Sequence, residues 1–216
     1  MLGLFTKTGK TFENLTTHEG NNDTVKRAKE FCLKFPDVKK GLLFMGQTGT
    51  GKTHLAQAIA NRVGKGIYWA SMSDLLAELR PGSATQKAIE LAEKCHSDCH
   101  GHCSVKLYKS KPYGNCLYCS MVLGGKHPVL GRAAESPLLV LDDLGTSKPT
   151  DWVAEQIYML LNSRLERENP LPVIGTTNYT LEELEDRLGH DRSVSRLVGL
   201  CEVHELTGDD WRLKVG

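Results

Sequence analysis

The stretch Gly46-Gln-Thr-Gly-Thr-Gly51-Lys52-Thr53 constrains this chain more than any other feature. It has the full spacing of a phosphate-binding loop, G-x-x-x-x-G-K-[ST]. An apolar run (41–45, GLLFM) precedes it. Helical periodicity follows over 52–63, with Leu55, Ala56, Ile59, Ala60 and Val63 on one face and Gly64 as the stop. Such a loop works between a strand and a helix. Its glycines let backbone N–H groups turn inward on phosphate oxygens, and the helix N-terminus adds partial positive charge. Lys52 would reach the β- and γ-phosphates, and the Thr53 hydroxyl would hold Mg²⁺. The nucleotide-binding candidates are Gly46, Gln47, Thr48, Gly49, Thr50, Gly51, Lys52, Thr53 and His54.

Hydrolysis at such a loop also needs acids at the end of a neighbouring strand. Leu138-Leu-Val-Leu-Asp142-Asp143 supplies two after a buried apolar run. That places them at the carboxyl edge of the sheet, where ligands bind in such folds. Asp142 would join the Mg²⁺ shell, and Asp143 would polarise the attacking water. A third edge, Thr176-Thr177-Asn178, puts polar groups near the same place.

The rest of the chain alternates in the same way. Helical spacing runs from a cap at Asp23 to Phe35, and Pro36-Asp37 stops it. A strand is expected at 67–70 and a helix at 74–80, capped by Ser71 or Ser73. Further helices are expected at 84–94, 151–168, 181–188 and 193–200, and strands at 137–141, 172–176 and 201–206. Apolar strands between helices indicate an α/β fold with a parallel sheet covered on both faces.

One segment breaks the pattern. Of seven cysteines, five (Cys95, Cys99, Cys103, Cys116 and Cys119) fall within 25 residues, and Cys32 and Cys201 stand apart. Thiols this close, beside His96, His100 and His102, read as a metal site in a reducing compartment rather than a disulfide framework. The Cys116-x2-Cys119 pair reads as a knuckle, and Cys99 and Cys103, around Gly101, are the preferred completion of a tetrahedral zinc site, with Cys95 the leading alternate and His100 or His102 able to replace either upstream thiol. An iron–sulfur cluster is the rival occupant. No acid occurs from Cys99 to Ala134, whereas Lys106, Lys109 and Lys111 lie there with Tyr108, Tyr113 and Tyr118. That mixture suits a nucleic-acid backbone with bases stacked on rings. The expected organisation is therefore a core of 1–94 and 135–216 interrupted by a zinc-stapled insert at 95–134. Lys+Arg is 27 and Asp+Glu 26, so a globally basic coat is excluded and any nucleic-acid contact must be local. No apolar run approaches the roughly 18 residues of a membrane helix, and the N-terminus is too short in apolar residues for a signal peptide. A cytoplasmic location is the expectation.

Taken together, Thr11-Phe-Glu-Asn-Leu, GLLFMGQTGTGKTHLAQAIAN, LLVLDDLG and GTTN resemble, in order, the helicase loaders of the DnaC/DnaI type and the related IstB-type transposition ATPases. The resemblance covers about 11–80 and 137–213. It implies a three-layer AAA+ P-loop core of the initiator/loader branch, an ATPase using ATP and Mg²⁺. It assigns Asn178 as the sensor that positions water. Arg196 falls at the arginine finger that acts on a neighbouring subunit's ATP, with Arg192 assisting, and Arg212 falls near the second sensor. Thr150 and Trp152 match a hydroxyl–aromatic pair facing single-stranded DNA, although a core position for Trp152 fits its helix equally well. The implied partners are single-stranded DNA, a replicative helicase or a transposase, and further copies of the chain in a nucleotide-dependent homo-oligomer. A transposase helper on duplex DNA and a nucleotide-switched adaptor are the alternatives. The expectation is a chain without the family's N-terminal helicase-gripping domain and, with about ten residues after the last strand, with little or no C-terminal lid.

Overall fold

The computed structural model describes residues 3–5, 7–79, 128–189 and 191–208. They form β1 (Gly3–Leu4), α1 (Asn22–Lys34), β2 (Gly41–Met45), α2 (Lys52–Val63), β3 (Ile67–Ser71), α3 (Met72–Leu79), α4 (Pro128–Glu135), β4 (Leu138–Leu144), α5 (Asp151–Leu165), β5 (Val173–Thr177), α6 (Leu181–Leu188), α7 (Asp191–Leu200) and β6 (Cys201–Glu205). The sheet order is β1-β3-β4-β5-β2-β6. All neighbours are parallel except β1, which pairs antiparallel with β3. The expected parallel sheet is thus present. The two-residue strand β1 was not expected, because nothing in its own sequence marks so short an edge.

Alternation along the strands builds two layers. Leu42, Phe44, Ile67, Leu138, Val140 and Ile174 pack with α1 and α2 through Val25, Phe31, Leu55 and Ile59. Leu43, Tyr68, Ala70, Leu139, Leu141 and Val173 point the other way and pack with α3 to α7. A strand buried on both faces must be apolar at every position, which is why these runs carry no polar alternation. The phosphate loop leads into α2 on one face, and α5 and α7 lie on the other.

Several helix ends differ from expectation. Asn21 rather than Asp23 stands at the N-cap of α1, with its side chain tied to the His18 N–H and the Thr16 carbonyl. Ser71 caps α3, accepting from the Asp74 N–H at 3.1 Å, and the helix starts two residues early, at Met72. α5 ends at Leu165 instead of 168, and α7 starts at Asp191 instead of Ser193. At α6, Thr180 and Glu183 form a capping box of two reciprocal bonds, 3.3 and 2.9 Å.

The boundary drawn at residue 134 needs correction. Residues of α4, assigned to the insert for want of acids, bury Val129, Leu130, Ala133 and Ala134 in the core beside α5. Arg164 of α5 fixes that helix. It is fully buried, and its Nη1 donates to the Ala133 and Ser136 carbonyls at 2.6 and 2.9 Å while Nη2 donates to the Pro172 carbonyl at 2.8 Å. Carbonyls at a helix C-terminus stabilise a cation, but burial still lowers its pKa to about 9. The expected helix at 84–94 and the five clustered cysteines lie outside the described residues.

Candidate nucleotide site

β2 delivers the chain to the sheet edge, and Gly46 turns it with φ of 142°. A Cβ at Gly46 would come 2.1 Å from the Leu206 carbonyl oxygen, so only glycine lets the loop start beneath the segment after β6. Gly51 caps α2 in the left-handed conformation with φ of 95°. Within the loop, the Thr50 hydroxyl donates to the Gln47 carbonyl at 2.8 Å, and Lys52 Nζ donates to that carbonyl at 2.6 Å. The lysine is thus folded over the loop that its amine would share with phosphate oxygens.

Asp142 meets the loop at Thr53, through a device the sequence did not disclose. The β4–β5 ladder breaks between Leu141 and Leu144, and Asp143 takes φ of 57°. A bulge of this kind re-aims adjacent side chains, and Asp tolerates the left-handed region better than most residues. Asp142 is buried and Asp143 exposed. Thr53 Oγ1 donates to Asp142 Oδ1 at 3.0 Å, and Thr176 Oγ1 donates to the same oxygen at 2.6 Å. Thr176 in turn accepts from the Asp143 N–H at 2.9 Å. Burial pushes the Asp142 carboxyl above the ordinary range; the Thr176 bond opposes this, the Asp143 charge adds to it, and the Thr53 bond opposes it.

These residues fit a magnesium nucleotide. The Thr53 hydroxyl and Asp142 carboxylate are hard oxygen donors already side by side. Asn178 follows the last residue of β5 and is exposed at the same edge. The end of β5 is tied to β4, since Thr177 Oγ1 donates to the Leu144 carbonyl at 3.0 Å.

One expected nucleotide contact turns away from the loop, and Arg196, expected to act on a neighbouring copy, lies apart from it. The His54 ring turns from the loop to the N-terminal arm, with Nε2 3.0 Å from both the Thr11 carbonyl and Asn14 Oδ1. Burial lowers its pKa, the Thr11 bond raises it, and Lys10 lowers it. The same arm sets Leu15 Cδ1 3.6 Å from where a Cβ on Gly51 would lie. Arg196 lies on α7, in the layer opposite α2, with its Nε on Asn162 and its guanidinium near Tyr158. Trp152 is 52% exposed in the first turn of α5, so the core alternative does not hold for it, and Thr150 caps that helix without a side-chain bond. Arg212, Lys106, Lys109, Lys111, Cys95, Cys99, Cys103, Cys116 and Cys119 lie outside the described residues. Thr176, Asn162 and the arm residues Thr11 and Asn14 were not singled out for these contacts. The paired threonines ending β5 were the one available signal.

A phosphate loop beside an acid-tipped strand in a five-stranded parallel sheet, with helices on both faces, defines an AAA+ fold of the DnaC/DnaA kind. The model of the IstB-like ATP binding protein family matches residues 6–96. The replicative helicase loader DnaC of Buchnera aphidicola subsp. Schizaphis graminum is 36% identical over 73 residues, 32% of this chain and 30% of that protein. The Escherichia coli K12 DnaC is 21% identical over 190 residues, 86% of this chain and 62% of that protein. Each match therefore spans less than two thirds of its relative. The crystal structure of DnaI superposes with a TM-score of 0.63 at 21% identity, over 94% of this chain and 90% of that one. A replication initiator DnaA bound to AMPPCP and single-stranded DNA superposes with a TM-score of 0.61 at 20% identity, over 93% and 50%. The chain is thus similar to DnaC- and IstB-type AAA+ proteins. No described helix is long and apolar enough to cross a membrane.

Proposed function

We propose that the chain is a helicase-loader-like AAA+ protein of DNA replication that binds Mg-ATP, hydrolyses it at subunit interfaces and binds single-stranded DNA. The carrying observation is the division of parts between the two faces. Lys52 and Thr53 belong to the α2 side, where Thr53 meets Asp142 at the sheet edge, whereas Arg196 lies on the α7 side. A site built this way has its own phosphate and metal groups and takes a charge-neutralising arginine from another copy. In this reading Lys52 binds the β- and γ-phosphates, Thr53 and Asp142 hold Mg²⁺, Asp143 polarises water, and Asn178 orients it. Arg212 serves as the second sensor. The water oxygen attacks the γ-phosphorus, the bond to the β–γ bridging oxygen breaks, and ADP and phosphate leave. Bound magnesium would neutralise charge on the β- and γ-phosphate oxygens.

Trp152 and Thr150, with Lys106, Lys109 and Lys111, are the proposed DNA contacts. Support for DNA comes from the exposure of Trp152 and from the likeness to a DnaA whose structure holds single-stranded DNA. Zinc at Cys99, Cys103, Cys116 and Cys119 rests on their spacing. One equivalent of zinc in the purified chain is expected, and a metal-free or iron-loaded chain would refute it. The partner is a replicative helicase, in a cytoplasmic setting, with the chain assembling as a nucleotide-dependent homo-oligomer.

ATPase turnover of the wild type and Arg196→Ala, over a range of protein concentrations with and without single-stranded DNA, tests the reading. Turnover per chain should rise with concentration, and the substitution should lower it by about 10³-fold. Turnover independent of concentration, DNA and Arg196 would sink it. The match to the IstB-like family model favours one second reading, a transposase helper. That protein would prefer duplex DNA in the same assay.

A further inference from the structure

The seam between α5 and α7 holds an arrangement that neither the phosphate loop nor the fold requires. Glu155, Tyr158 and Asn162 share one stripe of α5, three and four residues apart. Arg192 and Arg196 face them from α7, one turn apart. The core side of α7 is made by Val194, Leu197 and Leu200, so the arginines belong to its outer side. Both guanidiniums approach the same ring, with 4.8 Å from Arg192 and 5.7 Å from Arg196 to the Tyr158 centroid. Those distances lie in the range where a ring face attracts a cation.

The two arginines are nevertheless held differently. Arg192 pairs with the Glu155 carboxylate at 3.6 Å. Arg196 has no carboxylate partner among the described residues and donates Nε–H to Asn162 Oδ1 at 2.5 Å. We infer that Asn162 is the positioning residue of the arginine finger, with Tyr158 as the platform under it, and that Arg192 is not a second finger. The inference rests on the reading of Arg196 in Proposed function and adds the residues that aim it.

The chemistry of the guanidinium gives the reason. It is planar, with its N–H donors in a fixed fork. Spending Nε–H on Asn162 fixes the plane and leaves the two terminal amino groups for a partner. Those groups match a phosphate end-on with two parallel bonds. A neutral amide at this place orients the cation without cancelling its charge. A carboxylate would orient it too, yet would offset the positive charge that a transition state on the neighbouring copy needs. Arg192, beside Glu155, shows what that neutralised arrangement looks like one turn away. An unheld arginine would have to lose side-chain freedom at the moment of reaction, and a finger displaced by about 1 Å can cost up to ~10²-fold in rate.

The test is a double-substitution cycle on the full chain, read as ATPase kcat and KM. Asn162→Ala should lower kcat about 10- to 100-fold with KM for ATP and melting temperature unchanged. In an Arg196→Ala background the same substitution should have no further effect, because it acts only through the arginine. Asn162→Asp should also lower kcat, whereas Arg192→Ala should leave it within about twofold. Should Asn162→Ala fold poorly, Asn162→Ser supplies the same measurement. A kcat for Asn162→Ala or Ser within twofold of wild type, an equal loss in the Arg196→Ala background, or a loss confined to KM each overturns the inference. Full turnover in Arg196→Ala itself would fell the finger reading and this one with it. A defective Arg196→Ala beside an active Asn162→Ala would fell this one alone.

Discussion

The two faces of the sheet use polar side chains in opposite ways. On the α2 side they are consumed within the chain. Lys52 lies on the Gln47 carbonyl, Thr53 and Thr176 share Asp142 Oδ1, and His54 holds the arm at Thr11 and Asn14. On the α5–α7 side Arg164 is buried, but groups on the outer surface of the helices are turned outward. Trp152 and Met159, one above the other on α5, are 52% and 46% exposed, and the terminal nitrogens of Arg196 have no partner among the described residues. A loop whose groups hold one another is preorganised for a small charged ligand. A surface whose aromatic and cationic groups point out is built for something larger. Under the proposed function, one chain carries half of each site.

The largest effect should come from forcing the two halves onto different chains. Lys52→Ala should weaken ATP binding by about 3 kcal/mol, on the order of 100-fold, through loss of a charge-assisted phosphate contact. Arg196→Ala should bind ATP normally and turn over poorly. Mixed together, the two inactive proteins should regain turnover, because the first still lends its arginine to ATP held by the second. Titrating one into the other while following phosphate release checks this. If the mixture is no more active than its parts, the two faces do not meet between copies, and the contrast drawn above loses its functional meaning.

How far the sequence discloses these faces depends on the kind of information each residue carries. The α2 side was readable because its chemistry is local. Gly46 to Thr53 are consecutive, and the helix period after them needs no knowledge of the rest of the chain. Asp142 and Asp143 were readable because a buried strand that ends in acids must place them at an edge. Thr176 was seen only as one of a polar trio, since its bond to Asp142 depends on β4 and β5 being neighbours. Asn162 and Arg164 were invisible for the same reason. On a helix both read as ordinary polar positions, yet one accepts a bond from a guanidinium and the other buries one under four carbonyl groups and a hydroxyl. The acid-free stretch misled at its C-terminal end, because composition does not reveal that Val129 and Ala133 are core. His54 was assigned to the nucleotide by adjacency alone, and the arm that claims its ring is forty residues away in sequence.

A second, smaller effect separates the outward aromatic from the core. Trp152→Ala should leave the melting temperature nearly unchanged, since the exposed indole contributes little packing. It should weaken binding of single-stranded DNA by about 1–3 kcal/mol, the usual worth of one stacked base. Fluorescence anisotropy on a labelled oligonucleotide at fixed salt, alongside a melting curve, checks both. A large loss of stability with unchanged DNA affinity would return Trp152 to the core and blur the difference between the faces.

The smallest effect concerns the arm on the α2 side and appears only with pH. Burial holds the His54 pKa below its ordinary value, against the opposing Thr11 bond and with the help of Lys10. The folded chain therefore binds a proton at His54 less readily than the unfolded chain. Above about pH 6.5 neither state carries it, and His54 contributes no pH dependence. As pH falls below that value the unfolded state is protonated first, so stability declines until pH passes the lowered folded pKa, and is level beyond it. His204, whose pKa burial also lowers with Glu202 and Arg27 beside it, adds a change of the same sign. His54→Gln keeps a donor for the Thr11 carbonyl and removes the titration. Its stability should fall less than that of wild type between pH 7.5 and 5.5, by about 1 kcal/mol or less, with the His204 contribution common to both proteins. Denaturant melts at the two pH values measure the difference. A larger fall in the variant than in wild type would mean that the folded state protonates His54 more readily than the unfolded one, and that the arm is not fastened through a neutral ring.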